Sequence, residues 1–182
     1  MVLPTDTVYG LCADPSSESA ARELYRLKRR PVEQPLALLA NDVKVLLELV
    51  PELPQTPLEA LLPGPYTLVL PNPAQRFRWL TGSAPETIGV RVPELAGPGA
   101  EVLGAVGAVV ATSANVHGGP EARTLEDVPL EIRAAAALVD GGRLPGTPST
   151  VLDLTGAEPR VLREGAVPAQ VALERAAAAF DR

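Results

Sequence analysis

The chain has 182 residues, of which 46% are hydrophobic and 21% are charged, and this fits one ordinary globular domain. Its single cysteine, Cys12, excludes an internal disulfide and a cysteine-based metal cluster. The formal net charge of −6 argues against a protein that holds RNA by general electrostatics and leaves room for no more than weak tRNA binding. No apolar run approaches the ~18 residues of a membrane span and the first residues lack a signal-peptide pattern, so we expect a cytoplasmic protein without a membrane partner.

Short apolar runs alternate with amphipathic stretches along the whole chain. In chain order, the pattern predicts a helix after Asp14–Ser17, a strand at Leu36–Ala40, a helix capped by Asn41, a short helix from Thr56, strands at Tyr66–Leu70, Thr87–Val92 and Ala108–Thr112, a helix over about 126–136, strands from Leu138, Ser149 and Arg160, and a closing helix at Val167–Phe180. This alternation predicts one α/β (α+β) domain over residues 1–182, with helices packed on a mixed sheet.

Two polar segments flank the first predicted helix. Hydroxyls at Thr5 and Thr7, with the ring of Tyr9, could grip a small polar ligand, although the same residues fit an ordinary capped turn. At the other end of the helix, Lys28 stands beside arginine, whose guanidinium group can donate two parallel hydrogen bonds. Such a pair of cations suits the binding of phosphate. The helix dipole alone also favours a solvated basic end, so both interpretations stay open.

Polar residues that could bind a ligand lie on or directly after two of the predicted strands. Thr87, Gly89 and Arg91 alternate along one strand and share a face, which indicates a cleft rather than the core. A buried arginine needs an anion, and either a ligand carboxylate or an ordinary Asp or Glu pairing could supply it. Ser113 and Asn115 follow a second strand, where ligands of open α/β sheets gather, so they could donate to a phosphate or ribose or simply form a turn.

The stretch from Gly141 to Pro148 is rich in glycine and could let the backbone approach a ligand beside Ser149. Arg163 is one more candidate cation. The P-loop, the dinucleotide fingerprint, the His-Glu-x-x-His motif and the nucleophile elbow are all absent from the sequence. Their absence removes the common nucleotide folds, zinc proteases and α/β-hydrolases, and no metal-ligating residues are predicted.

Taken together and in this order, the segments resemble the YrdC/TsaC family, the threonylcarbamoyl-AMP synthases. The matching motifs are Pro4–Leu11, Lys28–Pro31 with Pro35-Leu36, Gly64–Leu70, Val90–Pro93, Ser113–Asn115 and Ser149–Asp153. They span about residues 2–166, nearly the whole chain. Six ordered motifs make the resemblance specific, although each motif alone is weak.

The resemblance implies a YrdC-like domain whose twisted sheet surrounds a concave, cationic cleft. The residues that it assigns to the nucleotide phosphates and ribose are Lys28, Arg30, Ser113, Asn115 and Arg163. Lys28 and Arg30 would also be the catalytic cations. The residues that it assigns to threonine are Thr5, Tyr9, Arg91 and Ser149, with Arg91 on the carboxylate.

The activity implied by the resemblance is that of a nucleotidyltransferase. It would join L-threonine, bicarbonate and ATP into threonylcarbamoyl-adenylate and pyrophosphate, with Mg²⁺ screening the phosphates. The product would pass to the downstream tRNA threonylcarbamoyl-transferase machinery. Two alternatives remain: an RNA-binding or ribosome-assembly module without catalysis, and a carbamoyltransferase-type YrdC domain.

The chain departs from the family pattern in three places. Family members usually carry a helix and most of a strand ahead of the first motif, so a start at Met1 is expected to give a minimal form or to reflect a late start. The histidine that often follows Val-Arg-x-Pro is replaced by Glu94 and Leu95. The Ser-Gly that often follows Ser-Ala-Asn-x is His117-Gly118. The last two departures are expected to alter only the edges of the cleft.

Overall fold

The computed structural model describes residues 1–180. Its eight strands are β1 (Val2–Pro4), β2 (Tyr9–Ala13), β3 (Ala37–Ala40), β4 (Tyr66–Pro71), β5 (Thr87–Arg91), β6 (Ala108–Ser113), β7 (Thr150–Asp153) and β8 (Arg160–Arg163). The α-helices are α1 (Glu18–Lys28), α2 (Val43–Leu49), α3 (Gln55–Leu61), α4 (Gly97–Val106), α5 (Leu130–Ala135) and α6 (Ala169–Phe180). Single 3₁₀ turns stand at Arg78–Leu80 and Leu125–Asp127.

All eight strands form one sheet in the order β1-β2-β6-β3-β5-β4-β7-β8. The pairs β3/β5 and β4/β7 are parallel, whereas the other neighbours are antiparallel. Along the chain, α2 and α3 lie between β3 and β4, and α4 lies between β5 and β6. The prediction of an α/β domain with a mixed sheet is confirmed.

One face of the sheet is covered by helices because every second strand residue is a large apolar side chain. Leu38, Leu68, Val90 and Leu152 are fully buried and join the core that also contains side chains of α2, α3 and α6. A neighbouring core cluster joins α1 and α5 to β2 and β6 on the same face. Burial of such aliphatic side chains contributes about 1.5–3 kcal/mol each.

Within residues 1–180, the opposite face carries only one α-helix, α4, which packs on β1 and β6 through the buried Leu103. Elsewhere on this face several strand residues are small, as at Gly10, Ala37, Gly89 and Ala111. Because these side chains are small, they leave a concave space above this face of the sheet, beside α4. The uncovered part of the sheet is where the site lies.

Local signals in the sequence account for the starts of α1 and α2. Ser17 caps α1 by accepting a hydrogen bond from the backbone N–H of Ala20 at 3.2 Å, as predicted for this helix start. The predicted cap of α2 was wrong by one residue. Asp42, not Asn41, accepts from the N–H of Val45 at 2.8 Å.

Five elements differ from the prediction. Strands β1 and β2 and helix α4 were not predicted, since β1 has only three residues, β2 begins at the end of a polar segment, and α4 begins at Gly97-Pro98-Gly99. The strand expected from Leu138 is reduced to a single bridge with Val2. The helix expected over 126–136 is shorter, and α5 follows a 3₁₀ turn. None of the helices in the described residues has the length and hydropathy needed to cross a membrane.

Candidate functional site

A cleft of about 260 Å³ opens on the uncovered face of the sheet. Strands β2 to β7 contribute to its floor, and the loops after α1 and before β7 form its rim. Six of the nine predicted site residues line this cleft: Thr5, Arg30, Arg91, Ser113, Ser149 and Arg163. Thr87 and Gly89 line it as well, as the alternation along β5 predicts. The structure thus brings together residues from five separate motifs.

Arg91 is buried, and it is held by an anion of the protein itself. Its guanidinium donates to the carboxylate of Asp6 and to the Thr7 hydroxyl, the latter at 2.9 Å. Burial raises the pKa of Asp6 and lowers that of Arg91, and the attraction between the two opposes both shifts. The ordinary Asp pairing left open by the sequence is therefore present. Arg91 Nε–H still lacks a partner among residues 1–180, which leaves a donor for a ligand.

Thr5 folds back on its own turn. Its hydroxyl donates to the carbonyl of Val8 at 2.6 Å and accepts from the N–H groups of Thr7 and Val8 at 3.2 Å. These bonds are those of a capped turn, yet Thr5 also lines the cleft. The turn fixes Asp6 and Thr7 against Arg91, so the first motif and β5 form one polar unit.

Lys28 is the last residue of α1, and only 2% of its surface is exposed. Its ammonium group donates to the carbonyl and hydroxyl of Ser113 at 2.8 and 3.0 Å, to the carbonyl of Asn115 at 3.2 Å and to the side-chain oxygen of Asn115. The interpretation as a solvated helix end is wrong for this residue. Lys28 lies beneath the cleft and ties α1 to the end of β6, with Ser113 between it and the open space.

The two arginines after Lys28 point in different directions because α1 ends in a left-handed residue. Arg29 has φ 54°, and its side chain, 69% exposed, pairs with Glu131 at 3.0 Å. Arg30 turns the other way, donates to the carbonyl of Pro35 at 3.0 Å and lines the cleft. Its Nε–H has no partner in the described part of the chain. The solvated interpretation holds for Arg29 alone among these three residues.

Burial sets the protonation of Lys28. The pKa of the amine falls from its ordinary 10.5 to about 8, chiefly because of burial; the charge of Glu121 opposes this fall, and the charges of Arg30 and Arg163 add to it. The four acceptors around the amine are neutral oxygens, so they bind the ammonium without fully compensating its desolvation. Lys28 consequently loses its proton just above neutral pH.

We expect kcat/KM for ATP, which reports the free enzyme, to fall as pH rises through about 8, because the neutral amine no longer attracts phosphate. The unfolded chain keeps this proton up to its ordinary pKa of 10.5, so the free energy of unfolding should rise, not fall, as the pH increases between these two values, because the unfavourable buried charge of Lys28 is removed. Thermal melts across the same range separate loss of activity from unfolding. A Lys28→Arg variant that stays folded and shows the same decline would contradict this cause.

Ser149 and Arg163 meet at the other side of the cleft. Arg163, on the edge strand β8, donates to the backbone carbonyl of Ser149 at 2.8 Å and to its hydroxyl at 3.3 Å. The Ser149 hydroxyl also shares a hydrogen bond with Thr67 at 2.8 Å. Burial lowers the pKa of Arg163, though an arginine remains charged at neutral pH. The cation is thus held directly against the cleft wall.

Tyr9 and Asn115 are buried next to the cleft and do not line it. The Tyr9 hydroxyl donates to the carbonyl of Gly142 at 2.8 Å and accepts from the N–H of Gly141 at 3.0 Å, so it fixes the glycine-rich loop. Asn115 accepts from Lys28 and donates to the carbonyl of Gly119 at 2.6 Å. Their assignments to threonine and nucleotide stay predictions, and what the structure shows is that both position loops around the cleft.

Reasoning from the sequence missed three polar residues of the site. Asp6 stands inside the first motif and was not assigned as the anion of Arg91. Thr67 and Val69 share the cleft-facing side of β4, and their alternation with buried Leu68 was the only signal for Thr67. Glu121 follows Pro120 in an irregular loop, where no local pattern marks it. Within residues 1–180, no group of three or more His, Cys, Asp or Glu could hold a metal ion.

Comparison with known proteins agrees with this fold. Residues 1–165 match the model of the Sua5/YciO/YrdC family, which is described as "Telomere recombination". Threonylcarbamoyl-AMP synthase of Escherichia coli O6:H1 is 38% identical over 162 residues, which cover 84% of each chain. P. abyssi Sua5, solved in complex with L-threonine, is 32% identical with a TM-score of 0.84. E. coli YciO is 28% identical with a TM-score of 0.71.

The coverage of the two solved structures differs. The match to P. abyssi Sua5 takes in 96% of this chain and 52% of that one, so this chain spans about half the length of that protein. The match to E. coli YciO takes in 91% of this chain and 82% of that one. The fold and site define an α/β protein with a cleft on the open face of a mixed sheet. Among such proteins, this chain belongs to the Sua5/YciO/YrdC family.

Proposed function

We propose that this chain is an L-threonylcarbamoyladenylate synthase, an ATP-dependent nucleotidyltransferase. The observation that carries the proposal is the 2.8 Å hydrogen bond from Arg163 to the carbonyl of Ser149, both of which line one cleft. The resemblance assigns Arg163 to the nucleotide and Ser149 to threonine. The two predicted subsites therefore adjoin, as a condensation between two bound ligands requires. The threonylcarbamoyl-AMP synthase of E. coli and the threonine complex of P. abyssi Sua5 support the same assignment.

In the proposed reaction, the amine of L-threonine combines with bicarbonate to give a carbamate and water. A carbamate oxygen then attacks the α-phosphorus of ATP. The new oxygen–phosphorus bond forms as the bond to the bridging oxygen of the β-phosphate breaks, and pyrophosphate leaves with that electron pair. No side chain has to form a covalent intermediate, so positioning and charge stabilisation supply the rate enhancement.

The cations of the cleft provide that stabilisation. Arg30 and Arg163 would donate to phosphate oxygens on which negative charge accumulates. The Ser113 hydroxyl, which donates to the side-chain oxygen of Asn115 at 2.7 Å, would have to turn to the phosphate to add a further donor. Lys28 lies beneath the cleft, where its positive charge would attract the phosphates through space and its hydrogen bonds hold Ser113 in place. On the other side, Arg91 would bind the carboxylate of threonine. Together these groups make the cleft cationic towards its ligands.

Magnesium fits this site only as a companion of the triphosphate. One carboxylate, Glu121, is among the residues that line the cleft, which is too few for a site built from the protein alone. Mg²⁺ that arrives with ATP neutralises phosphate charge when bound. The residues described above keep their roles of binding and orienting the two substrates.

The product would be released to the tRNA threonylcarbamoyl-transferase machinery, which transfers the group to an adenosine. We place the enzyme in the cytoplasm, where ATP, threonine and tRNA occur together. The single thiol is consistent with a reducing compartment. Cys12 is fully buried, and burial raises its pKa to about 12, so it takes no part in the proposed chemistry.

We expect pyrophosphate release from ATP to require L-threonine and bicarbonate together, because the attacking group is the carbamate formed from both. A coupled phosphate assay with pyrophosphatase measures this directly, with each substrate omitted in turn. Mass spectrometry of the complete mixture should show threonylcarbamoyl-AMP in equal amount to pyrophosphate. Equal release with ATP alone would indicate a phosphohydrolase and contradict the proposal.

The two alternative functions predict different results with the same preparation. An RNA-binding module would bind tRNA in a filter assay, with affinity falling steeply between two salt concentrations, and would release no pyrophosphate. A carbamoyltransferase-type domain would use carbamoyl phosphate in place of bicarbonate. Either result without threonine-dependent adenylate formation would replace the synthase assignment.

A further inference from the structure

Glu121 is a carboxylate in the cleft for which the proposed chemistry gives no role so far. It lies in the loop between β6 and α5 and lines the cleft with Arg30, Ser113 and Arg163. Its Oε2 atom is buried and has no hydrogen-bond partner among residues 1–180. A buried carboxylate oxygen without a donor is unfavourable. Glu121 is therefore poised for a donor that a ligand brings.

The loop around Glu121 is fixed on both sides. Before it, the carbonyl of Gly119 accepts a hydrogen bond from the side chain of Asn115 at 2.6 Å. After it, the carbonyl of Ala122 accepts from the backbone N–H of Tyr9 at 3.0 Å, and Ala122 is fully buried. The carboxylate thus projects from an anchored segment, which preorganises it for a ligand.

The nearby cations do not satisfy this carboxylate by direct contact in the described part of the chain. Lys28 donates to Ser113 and Asn115, and Arg163 donates to Ser149. Glu121 nevertheless acts on both cations through space, since its charge favours their protonated forms. Glu121 consequently lies close to the cations assigned to phosphate but forms no hydrogen bond or ion pair with them.

Because a carboxylate repels phosphate, it must face a part of the nucleotide that donates hydrogen bonds. ATP offers its ribose hydroxyls and its adenine amine. The ribose is bonded directly to the α-phosphate, whereas the amine lies at the far end of the base, so a group beside the phosphate-binding cations meets the ribose first. Carboxylates recognise ribose hydroxyls in this way in other nucleotide sites.

We propose that Glu121 accepts hydrogen bonds from the ribose hydroxyls of the bound nucleotide and makes the site selective for ribonucleotides over deoxynucleotides. The proposal rests on the proposed function, because it takes ATP as the ligand of this cleft. It adds a specificity-determining residue outside the six motifs that carry the family resemblance.

Isothermal titration calorimetry with ATP, 2′-deoxy-ATP and 3′-deoxy-ATP, without threonine or bicarbonate, tests the proposal. The wild-type protein should bind ATP at least about 10-fold more tightly than one of the two analogues, as expected for one charge-assisted hydrogen bond. In Glu121→Ala this ratio should fall to about 1. The ratio is the readout because removal of a negative charge changes phosphate affinity equally for all three nucleotides. Glu121→Gln, which keeps one acceptor oxygen, should give an intermediate ratio.

Glu101→Ala is the matched control, since Glu101 is an exposed carboxylate on α4. It should retain the wild-type ratio. A preference for ATP that survives in a folded Glu121→Ala protein would overturn the inference, as would a wild-type protein without any preference. A preference that disappears in EDTA would assign Glu121 to the metal and also overturn it. Failure of the wild-type protein to bind any of the three nucleotides would instead contradict the proposed function itself.

Discussion

Replacing either Lys28 or Arg30 with alanine is expected to lower threonylcarbamoyl-adenylate formation about 10²–10³-fold, or roughly 3–4 kcal/mol in the barrier. In the proposed function both cations stabilise negative charge on the phosphates, Arg30 by direct hydrogen bonding and Lys28 through space. Arg30 lines the cleft and has a free Nε–H in the described part of the chain, so its loss removes a direct donor. Lys28 lies underneath, so its loss removes a charge and also releases Ser113 and Asn115.

Arg29→Ala is the internal control for this pair. It removes the same charge from the same segment, but its side chain is exposed and pairs with Glu131 on α5. A surface ion pair of this kind contributes about 0–1 kcal/mol, so activity should stay within about twofold of wild type. The measurement is the initial rate of adenylate formation by the three purified variants.

Stability must be followed separately at Lys28. Removal of a buried ammonium leaves its acceptors without a donor, so Lys28→Ala is expected to lower the melting temperature as well. Lys28→Met fills most of the volume without the charge and shows whether activity is lost in a protein that is still folded at the assay temperature. Small, equal losses of activity at all three positions would contradict the assignment of this segment to the phosphates.

The parts of the fold that were predictable from the sequence are those with strong periodicity. On β5, the polar or small residues Thr87, Gly89 and Arg91 alternate with apolar ones, and this pattern correctly placed them on the cleft face. The cap at Ser17 and the start of α1 follow from side-chain chemistry that acts over three residues. Such local signals do not depend on the rest of the chain.

The missed elements depend on tertiary context. Strand β2 contains Tyr9, Gly10 and Cys12 and has no apolar alternation of its own, and it becomes a strand because β1 and β6 flank it on both sides. Helix α4 begins with two glycines and a proline, residues of low helix propensity, and it is held against the sheet by Leu103. Packing against neighbours supplies what the local sequence lacks.

The residues of the site likewise divide into those that local sequence reveals and those that depend on tertiary contacts. The order of the motifs identified most residues that line the cleft, but it could not show which groups contact each other. Lys28 is separated from Ser113 by 85 positions and Arg91 from Asp6 by the same number, so both contacts exist only once the sheet is assembled. Glu121 belongs to no motif, and only its position in the folded loop reveals it.

Arg91→Lys is expected to raise the KM for L-threonine about 10- to 100-fold while the KM for ATP changes by less than about threefold. A lysine can keep the charge opposite Asp6, so the fold should survive. It cannot reproduce the fork of a guanidinium that bonds the protein and a ligand carboxylate at the same time. Steady-state kinetics with each substrate varied in turn, with circular dichroism of the purified variant, measures both effects.

Asp6→Asn separates the structural role of this arginine from its role in binding. The pair is buried, with side-chain exposures of 8% for Arg91 and 11% for Asp6, so removal of the anion leaves an uncompensated charge and should cost about 3–5 kcal/mol of folding stability. L-Threonine would then supply a replacement carboxylate and raise the melting temperature of Asp6→Asn more than that of wild type. Equal shifts for the two proteins, together with parallel changes in both KM values for Arg91→Lys, would remove Arg91 from the threonine site and leave it as a structural ion pair.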